Sequence, residues 1–112
     1  MAYRHIEPRI ILPTTVISNN TPVVSQYHDM RTMTRGAIQY IYGAGLSAGL
    51  YVYASVDGKT FFDLQLDIPP INGTAGTWGV DLTAYGYPYY EAVVIQTAGS
   101  GTMTIWANAK GS

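Results

Sequence analysis

Short alternating segments separated by turn residues constrain this chain more than any other feature. From residue 49 to residue 110, runs of alternating side chains are interrupted by Asp57-Gly58 and by Gly99-Ser100-Gly101. Side chains of a β-strand point alternately to the two faces of a sheet, and such glycine-containing pairs and triplets favour hairpin turns. The pattern therefore predicts an all-β protein built from hairpins.

Strand signals recur about every ten residues, which is the spacing typical of a β-sandwich or barrel. No window has the i, i+3, i+4, i+7 spacing of apolar residues that indicates a helix. We predict an eight-stranded antiparallel sandwich of the jelly-roll type, with a seven-stranded immunoglobulin-like sandwich as the alternative. The predicted strands cover residues 9–17, 23–27, 37–42, 50–56, 60–68, 77–83, 89–97 and 102–109.

The chain of 112 residues is long enough for one domain. Residues 1–8 lack strand alternation, which predicts an irregular N-terminal arm. The single predicted β-sandwich domain covers residues 9–112. Pro13 makes the first strand an edge strand or a bulged strand. Residues 69–76 begin with two prolines and are too long for a tight hairpin, which predicts a crossover between the two sheets.

Alternation also assigns a core and an outer surface. Phe62 and Trp78 fall on predicted inward faces, whereas the seventh strand has two mixed faces and is left unoriented. Asp63 and Asp67 share a predicted solvated face. The predicted core contains Leu50, Val52, Leu64, Leu66, Val80, Leu82 and Ile105.

Composition narrows the class of function. Charged residues make up 12% of the chain, about half the usual share, which indicates that much of the surface faces other protein. The net charge of −1 gives no general attraction to nucleic acid. The absence of cysteine excludes disulfides and thiolate metal sites. The first 20 residues lack a signal-peptide pattern and no run is apolar enough for a membrane helix, so we expect synthesis in a cytoplasm and no membrane partner.

No set of residues has the spacing that catalysis or metal binding requires. His5 and His28 lack a second ligand at a usual spacing, so both are interpreted as surface or interface histidines. Asp57, Asp63 and Asp67 form the one acidic cluster, which is interpreted as a solvated face. There is no nucleophile elbow and no phosphate-binding loop. We therefore predict no enzyme activity, no catalytic residue, no metal ligand and no cofactor.

Tyrosine is the most unusual component, with ten copies. Tyrosine is enriched at protein interfaces and is also a good strand residue, and exposed aromatic rings can stack on sugars. The candidate partner-binding residues lie in two groups. The outward positions Tyr51, Tyr53 and Trp106 form one group, and the cationic N-terminal segment supplies the other, with Tyr3, Arg4, His5, Ile6 and Arg9.

Two segments resemble the small decoration, or cement, proteins of tailed-bacteriophage capsids. One is Val52-Tyr-Ala-Ser-Val-Asp-Gly-Lys-Thr-Phe61, and the other is Gly99-Ser-Gly-Thr-Met-Thr-Ile-Trp106 with the residues that follow. The chain length, the eight predicted strands, the basic arm and the lack of cysteine agree with this resemblance. The first segment is also similar to a hairpin of discoidin-type sugar-binding modules.

The resemblance implies a jelly-roll-like protein on the outer surface of a virion, made in the host cytoplasm. Its implied partner is the major capsid (coat) protein, whose neighbouring subunits it would bridge to stabilise the shell, as a homo-dimer or a higher oligomer. Neither nucleic acid nor a membrane is an expected partner. The alternative is a carbohydrate-binding β-sandwich module of a phage tail or cell-surface protein.

Overall fold

The structure is a computed structural model that describes residues 6–31 and 35–110. In those residues it contains ten β-strands and no helix, so the all-β prediction is confirmed and the strand count is corrected from eight to ten. The second predicted strand is divided into two short strands, the fifth is reduced to two residues, and one further short strand lies within the predicted crossover of residues 69–76. The strands are β1 (Ile6–Ile17), β2 (Val23–Val24), β3 (His28–Asp29), β4 (Arg35–Tyr42), β5 (Leu46–Ser55), β6 (Phe62–Asp63), β7 (Ile71–Asn72), β8 (Gly76–Asp81), β9 (Tyr89–Gly99) and β10 (Gly101–Lys110).

The strands form two antiparallel sheets that pack as a sandwich. The four-stranded sheet has the order β1-β10-β4-β8, and the six-stranded sheet has the order β2-β9-β5-β6, with β3 also on β9 and β7 also on β5. The chain passes back and forth between the sheets, so that its first and last strands pair side by side. This order is that of a jelly roll, in which two Greek keys are wrapped into two sheets, as predicted.

The Gly99-Ser100-Gly101 segment connects the two sheets and is not the predicted hairpin. Strand β9 ends in the six-stranded sheet, where it pairs with β5, and β10 begins in the four-stranded sheet. Gly99 has a φ of 64°, a left-handed conformation that serves a crossover as well as a hairpin. The predicted crossover at residues 69–76 is confirmed, because it leads from β7 to β8 in the other sheet.

The Asp57-Gly58 turn does connect paired strands, but through a wider loop than the predicted two-residue hairpin. Tyr53 lies opposite Asp63 and Ala54 opposite Phe62. The Asp57 carboxylate closes the loop by accepting hydrogen bonds from the backbone N–H groups of Lys59 and Thr60, both at 2.9 Å. These bonds hold the pKa of Asp57 below its usual value, and the bond from Thr60 has the largest effect.

The start of the sandwich is also corrected. Strand β1 begins at Ile6, and residues 6–8 pair with residues 108–110 of β10, so they do not belong to the predicted arm of residues 1–8. Residues 1–5 lie outside the described part of the chain. Strand β1 is an edge strand with register shifts on either side of Leu12, as the proline at position 13 predicted.

The core lies between the sheets and follows the predicted alternation best in the long strands. Leu50, Val52, Leu82 and Ile105 are buried as predicted, and β9 turns Tyr90, Ala92 and Val94 inward. The predicted core residues Leu64, Leu66 and Val80 are only partly buried. The fifth predicted strand is mostly a loop and β8 is an edge strand, so these side chains are covered from fewer sides.

Two other residues that were predicted to face inward are partly exposed to solvent for the same reason. Phe62 is 41% exposed and Trp78 is 40% exposed, although their positions in the alternation are those of inward residues. Phe62 belongs to the two-residue strand β6, and Trp78 to the edge strand β8. Each ring therefore lies at the edge of the core, with one part packed against it and the other part in solvent.

Two polar side chains connect the sheets across the core. The hydroxyl of Tyr40, from β4, donates a hydrogen bond to the Tyr51 carbonyl oxygen of β5 at 2.7 Å. His28, interpreted from sequence as a surface or interface residue, is 2% exposed, because pairing of β3 with β9 brings its ring between the sheets. Its Nε2 lies 2.8 Å from the carbonyl oxygen of Asn108 in β10. Since a carbonyl only accepts, Nε2 carries the proton and Nδ1 is left unprotonated, without a partner among the described residues.

We expect the buried His28 to make the protein less stable in mild acid. Burial lowers the pKa of His28, so the folded state keeps the ring neutral while the unfolded chain takes up a proton below about pH 6.5. The free energy of unfolding should then fall from pH 6.5 downward by at most about 1.4 kcal/mol per pH unit, until the folded pKa is reached. No such effect is expected above pH 7.

Urea unfolding at pH 7.5 and pH 5.5, for the natural protein and for His28→Gln, isolates this contribution. The variant keeps a side-chain donor but does not titrate, so it should lose less stability between the two pH values. An equal loss in both proteins would contradict a neutral buried His28.

Candidate docking faces

The outward aromatic residues predicted from sequence lie on opposite sides of the sandwich. Trp106 belongs to β10 in the four-stranded sheet, whereas Tyr51 and Tyr53 belong to β5 in the six-stranded sheet. Their strand neighbours Ile105, Ala107 and Val52 are buried between the sheets, so all three rings are directed outward. The structure therefore does not bring Tyr51, Tyr53 and Trp106 together into one platform.

The first surface, which we call the Trp106 face, is the outer side of the four-stranded sheet. Strand pairing places Ile10, Trp106, Gln39 and Gly79 in one row across the four strands. Ile10 is 42% exposed. A shallow groove of about 380 Å³ runs along this row, and its lining includes Pro8, Ala37, Gln39, Gly79, Trp106 and Asn108.

The neighbouring row of the Trp106 face is equally free of charge. It contains Thr104, Ile41 and Thr77, which are paired across β10, β4 and β8. Among the residues whose side chains the structure describes, charged groups on this face lie at one end, where Arg35 and Asp81 belong to the adjacent strands β4 and β8. The middle of the face thus presents one large aromatic ring, aliphatic groups and neutral hydrogen-bonding groups.

The second surface, which we call the Tyr51 face, is the outer side of the six-stranded sheet. Val24, Val93 and Tyr51 form a row across β2, β9 and β5. Val93 is buried beneath its neighbours, while Val24 is exposed. In the next row Tyr53 lies opposite Glu91, and burial raises the pKa of that carboxyl.

Many of the other tyrosines have partners within the domain. Tyr87 meets Phe62 edge to face with ring centroids 5.1 Å apart, and it also contacts Tyr90. Tyr89 contacts Tyr27 in the same way, at 5.6 Å. Part of the tyrosine surplus is therefore explained by packing.

Glycines accommodate several of these rings. A Cβ atom on Gly49 would lie 2.7 Å from the hydroxyl oxygen of Tyr51, so that ring lies along its own strand over the glycine. Tyr42 covers Gly76 of the neighbouring strand in the same way. Tyr51 thus has a packing role on the sheet besides its exposed surface.

The cationic N-terminal segment is only partly described. Arg9 is exposed in β1, makes one long hydrogen bond of 3.4 Å to the Tyr27 carbonyl oxygen, and lines a cleft with Asp29. Ile6 pairs with Lys110 through the backbone. Tyr3, Arg4 and His5 lie outside the described residues, so their predicted role stays a prediction.

No group of three His, Asp or Glu side chains that could hold a metal ion lies together in residues 6–31 and 35–110. Two members of the predicted acidic cluster are used locally, because Asp57 closes its loop and Asp63 accepts the backbone N–H of Gln65. In the same described ranges no helix has the length and apolar character needed to cross a membrane.

Sequence reasoning missed three residues of the Trp106 face, namely Ile10, Gln39 and Gly79. Each lies on a different strand, so only the sheet order brings them beside Trp106. The one signal in the sequence is Gly79 itself, since a glycine inside a predicted strand often marks a place where another group approaches closely.

No protein-family model matches the chain, and no curated protein sequence matches it. Solved structures do match its fold. A structure of infectious bursal disease virus, Gx strain, superposes with a TM-score of 0.61 and 10% identity over 98% of this chain. The SPBc2 prophage-derived protein YomS gives a TM-score of 0.60 and 13% identity over 98% of this chain and 96% of its own.

A third match is a protein of Bacillus endospore appendages, described as disulfide-linked pili, with a TM-score of 0.53 and 12% identity over 99% of this chain and 93% of its own. The chain spans only about a third of the bursal disease virus protein, 33%, whereas it spans nearly all of YomS and of the pilus protein. At these identities the matches define the fold, which recurs in proteins of viral, prophage and pilus structures.

Proposed function

We propose that the protein is a structural component of a bacteriophage virion that binds the outside of the capsid and bridges neighbouring coat subunits. The observation that carries this proposal is the presence of two sparsely charged faces on opposite sides of one sandwich. A protein with two such faces can contact two neighbours at once. The contacts of a bridging protein add up across the shell, because each linkage makes the next binding event effectively intramolecular.

The chemistry of the faces fits contact with protein. Aromatic residues are enriched and charged residues depleted at the centre of protein interfaces. The Trp106 face has an aromatic ring beside small residues, which leaves room for a side chain of the partner. The Tyr51 face has an aliphatic row, and its partly buried carboxyl groups, Glu91 and Asp63, lie in one row on either side of Tyr53.

The matches agree with this proposal at the level of fold. A similar fold occurs in a structure of infectious bursal disease virus and in a prophage-derived protein of nearly the same length. We also keep Tyr3, Arg4 and His5 as proposed contacts, together with Arg9 oriented toward carboxylates of the coat. A truncation that probes this arm must stop before Ile6, since β1 begins there.

Alanine variants on each face test the bridging proposal. Trp106→Ala and Tyr51→Ala should each weaken binding to shells of the proposed partner coat protein by roughly tenfold or more, because a buried aromatic at an interface contributes more than about 1.4 kcal/mol. Both variants should also lose the rise in shell melting temperature. Tyr85→Ala is the matched control, because Tyr85 is an exposed aromatic in the loop after β8. Equal binding by all three variants would refute docking through the faces.

A second candidate function rests on the groove alone. Trp106 lines the groove together with the amide side chains of Gln39 and Asn108, and an aromatic ring with amides nearby can stack on a sugar and bond to its hydroxyls. The carbohydrate-binding alternative then predicts glycan binding by the isolated protein that is lost in Trp106→Ala and kept in Tyr51→Ala. Shell binding without glycan binding supports the virion role instead.

A further inference from the structure

The two edges of the four-stranded sheet are protected to very different degrees. Strand β1 carries Pro8 and Pro13 and has register shifts, which are devices that discourage pairing with another chain. Strand β8, Gly-Thr-Trp-Gly-Val-Asp, has no proline and no register shift, and its single charge is Asp81 at its end. No strand of the described residues pairs with the outer side of β8.

The hydrogen-bond pattern shows which backbone groups of β8 are free. The N–H of Leu82 donates to the Gly36 carbonyl oxygen at 2.8 Å, and these two residues continue the register in which Asp81 lies opposite Ala37. In an antiparallel pair, bonded and non-bonded positions alternate. Gly76, Trp78 and Val80 are thus bonded to β4, so the N–H and C=O groups of Thr77, Gly79 and Asp81 point away from the sheet.

We propose that β8 pairs antiparallel with β8 of a second copy of this chain, about a two-fold axis at Gly79. In this register Gly79 lies opposite Gly79 of the second copy, Thr77 opposite Asp81, and Trp78 opposite Val80. In each strand, the three residues whose backbone groups point away from β4 then bond to the second copy, which gives about six backbone hydrogen bonds. The two sheets join into one continuous sheet, and the interface is isologous.

Charge and exposure favour a second copy as the occupant of this edge. The register keeps the two Asp81 carboxylates at opposite ends and places each beside a Thr77 hydroxyl. That hydroxyl accepts a bond from the Gln39 amide at 3.1 Å, so its proton is available to the carboxylate. The 40% exposed ring of Trp78 gains Val80 of the second copy as a neighbour on the core side of the sheet.

Gly79 provides a further argument. Its φ lies outside the left-handed region, and a Cβ there would meet only the Ile38 carbonyl oxygen, at 4.0 Å, so neither strain nor crowding within the chain requires glycine. Glycine weakens a strand interior and often marks the close approach of another backbone. At the axis the two glycines allow that approach. The pairing is independent of shell binding and goes beyond the proposed function.

Sedimentation velocity of the isolated protein and two lysine variants tests the pairing and its register. The natural protein should form a dimer in the micromolar range. Gly79→Lys places like charges opposite each other at the axis and should weaken the dimer at least tenfold, whereas Thr77→Lys faces Asp81 and should leave it unchanged or tighten it. Val16→Lys, on the exposed side of β1, is the control and should have no effect.

A cross-linking experiment gives an independent measurement. The chain has no cysteine, so Gly79→Cys can form a disulfide only between molecules. Directly opposed Cα atoms of a bonded antiparallel pair are about 5.5 Å apart, within the range of a disulfide. Rapid formation of a covalent dimer by Gly79→Cys, but not by Val16→Cys, is the expected result. A monomeric natural protein at 100 micromolar or so, or equal weakening by both lysine variants of β8, would overturn the proposal.

Discussion

Replacing Ile105 with alanine should lower the free energy of unfolding by about 2–5 kcal/mol, the usual cost of truncating a buried aliphatic side chain. Ile105 is fully buried in β10, one of the two central strands of the four-stranded sheet. It lies between Leu12 of β1 and Tyr40 of β4, which are also buried. Because β1 and β4 are both paired with β10, these neighbours can move only partly into the cavity that the shorter side chain leaves. Urea unfolding at pH 7.5 measures the effect.

Leu64→Ala is the matched control for Ile105→Ala. Both changes shorten an aliphatic side chain predicted from sequence to be core, but Leu64 is only partly buried, in the loop that follows β6. The cost of Leu64→Ala should be clearly smaller, because the folded protein removes less of the Leu64 side chain from water than of the Ile105 side chain. Equal costs would show that the residues after β6 belong to the core after all.

Gly99→Ala should destabilise the protein by more than about 2 kcal/mol, since two separate costs add. The φ of 64° at Gly99 is unfavourable for any side chain, and an added Cβ would collide with the backbone carbonyl oxygen of Gly45. That carbonyl also accepts the N–H of Ser100 at 3.1 Å, so the loop cannot move aside without losing this bond. The chain changes sheets at this point, and both β9 and β10 depend on it.

Gly86→Ala separates the two costs. Gly86 has a similar φ of 74°, but a Cβ there would have no atom within 4 Å. Its replacement should therefore cost only the conformational penalty, about 1 kcal/mol. Thermal unfolding measures the stability of both variants. An equal loss of stability in Gly99→Ala and Gly86→Ala would show that a Cβ at position 99 does not collide with the Gly45 carbonyl.

Alternation in the sequence predicted which residues of the long strands are buried, but it did not predict which strands pair with one another. In β10, every second residue from Met103 to Ala109 is buried, as alternation predicts, because the strand has one core face throughout. The positions of short edge strands were predicted poorly. Phe62 and Trp78 continue an alternating pattern, yet no neighbouring strand covers them on the outer side.

The candidate site illustrates the same limit. Alternation correctly directs Tyr51 and Trp106 outward, but an outward direction is defined relative to one sheet and does not say which sheet. The glycines at positions 99 and 101 favour a reversal of the chain, which a hairpin and a crossover both require, so they do not distinguish the two connections. His28 is buried because β3 pairs with β9, far along the chain, and its local sequence is polar.

Electron cryomicroscopy of coat shells saturated with the natural protein measures bridging directly. We expect each bound sandwich to contact two coat subunits, one through the Trp106 face and the other through the Tyr51 face. The ring of Trp106 should lie against the coat in the groove between Pro8 and Gly79. Density in which both faces are open to solvent, or in which each molecule contacts a single coat subunit, would contradict the bridging function.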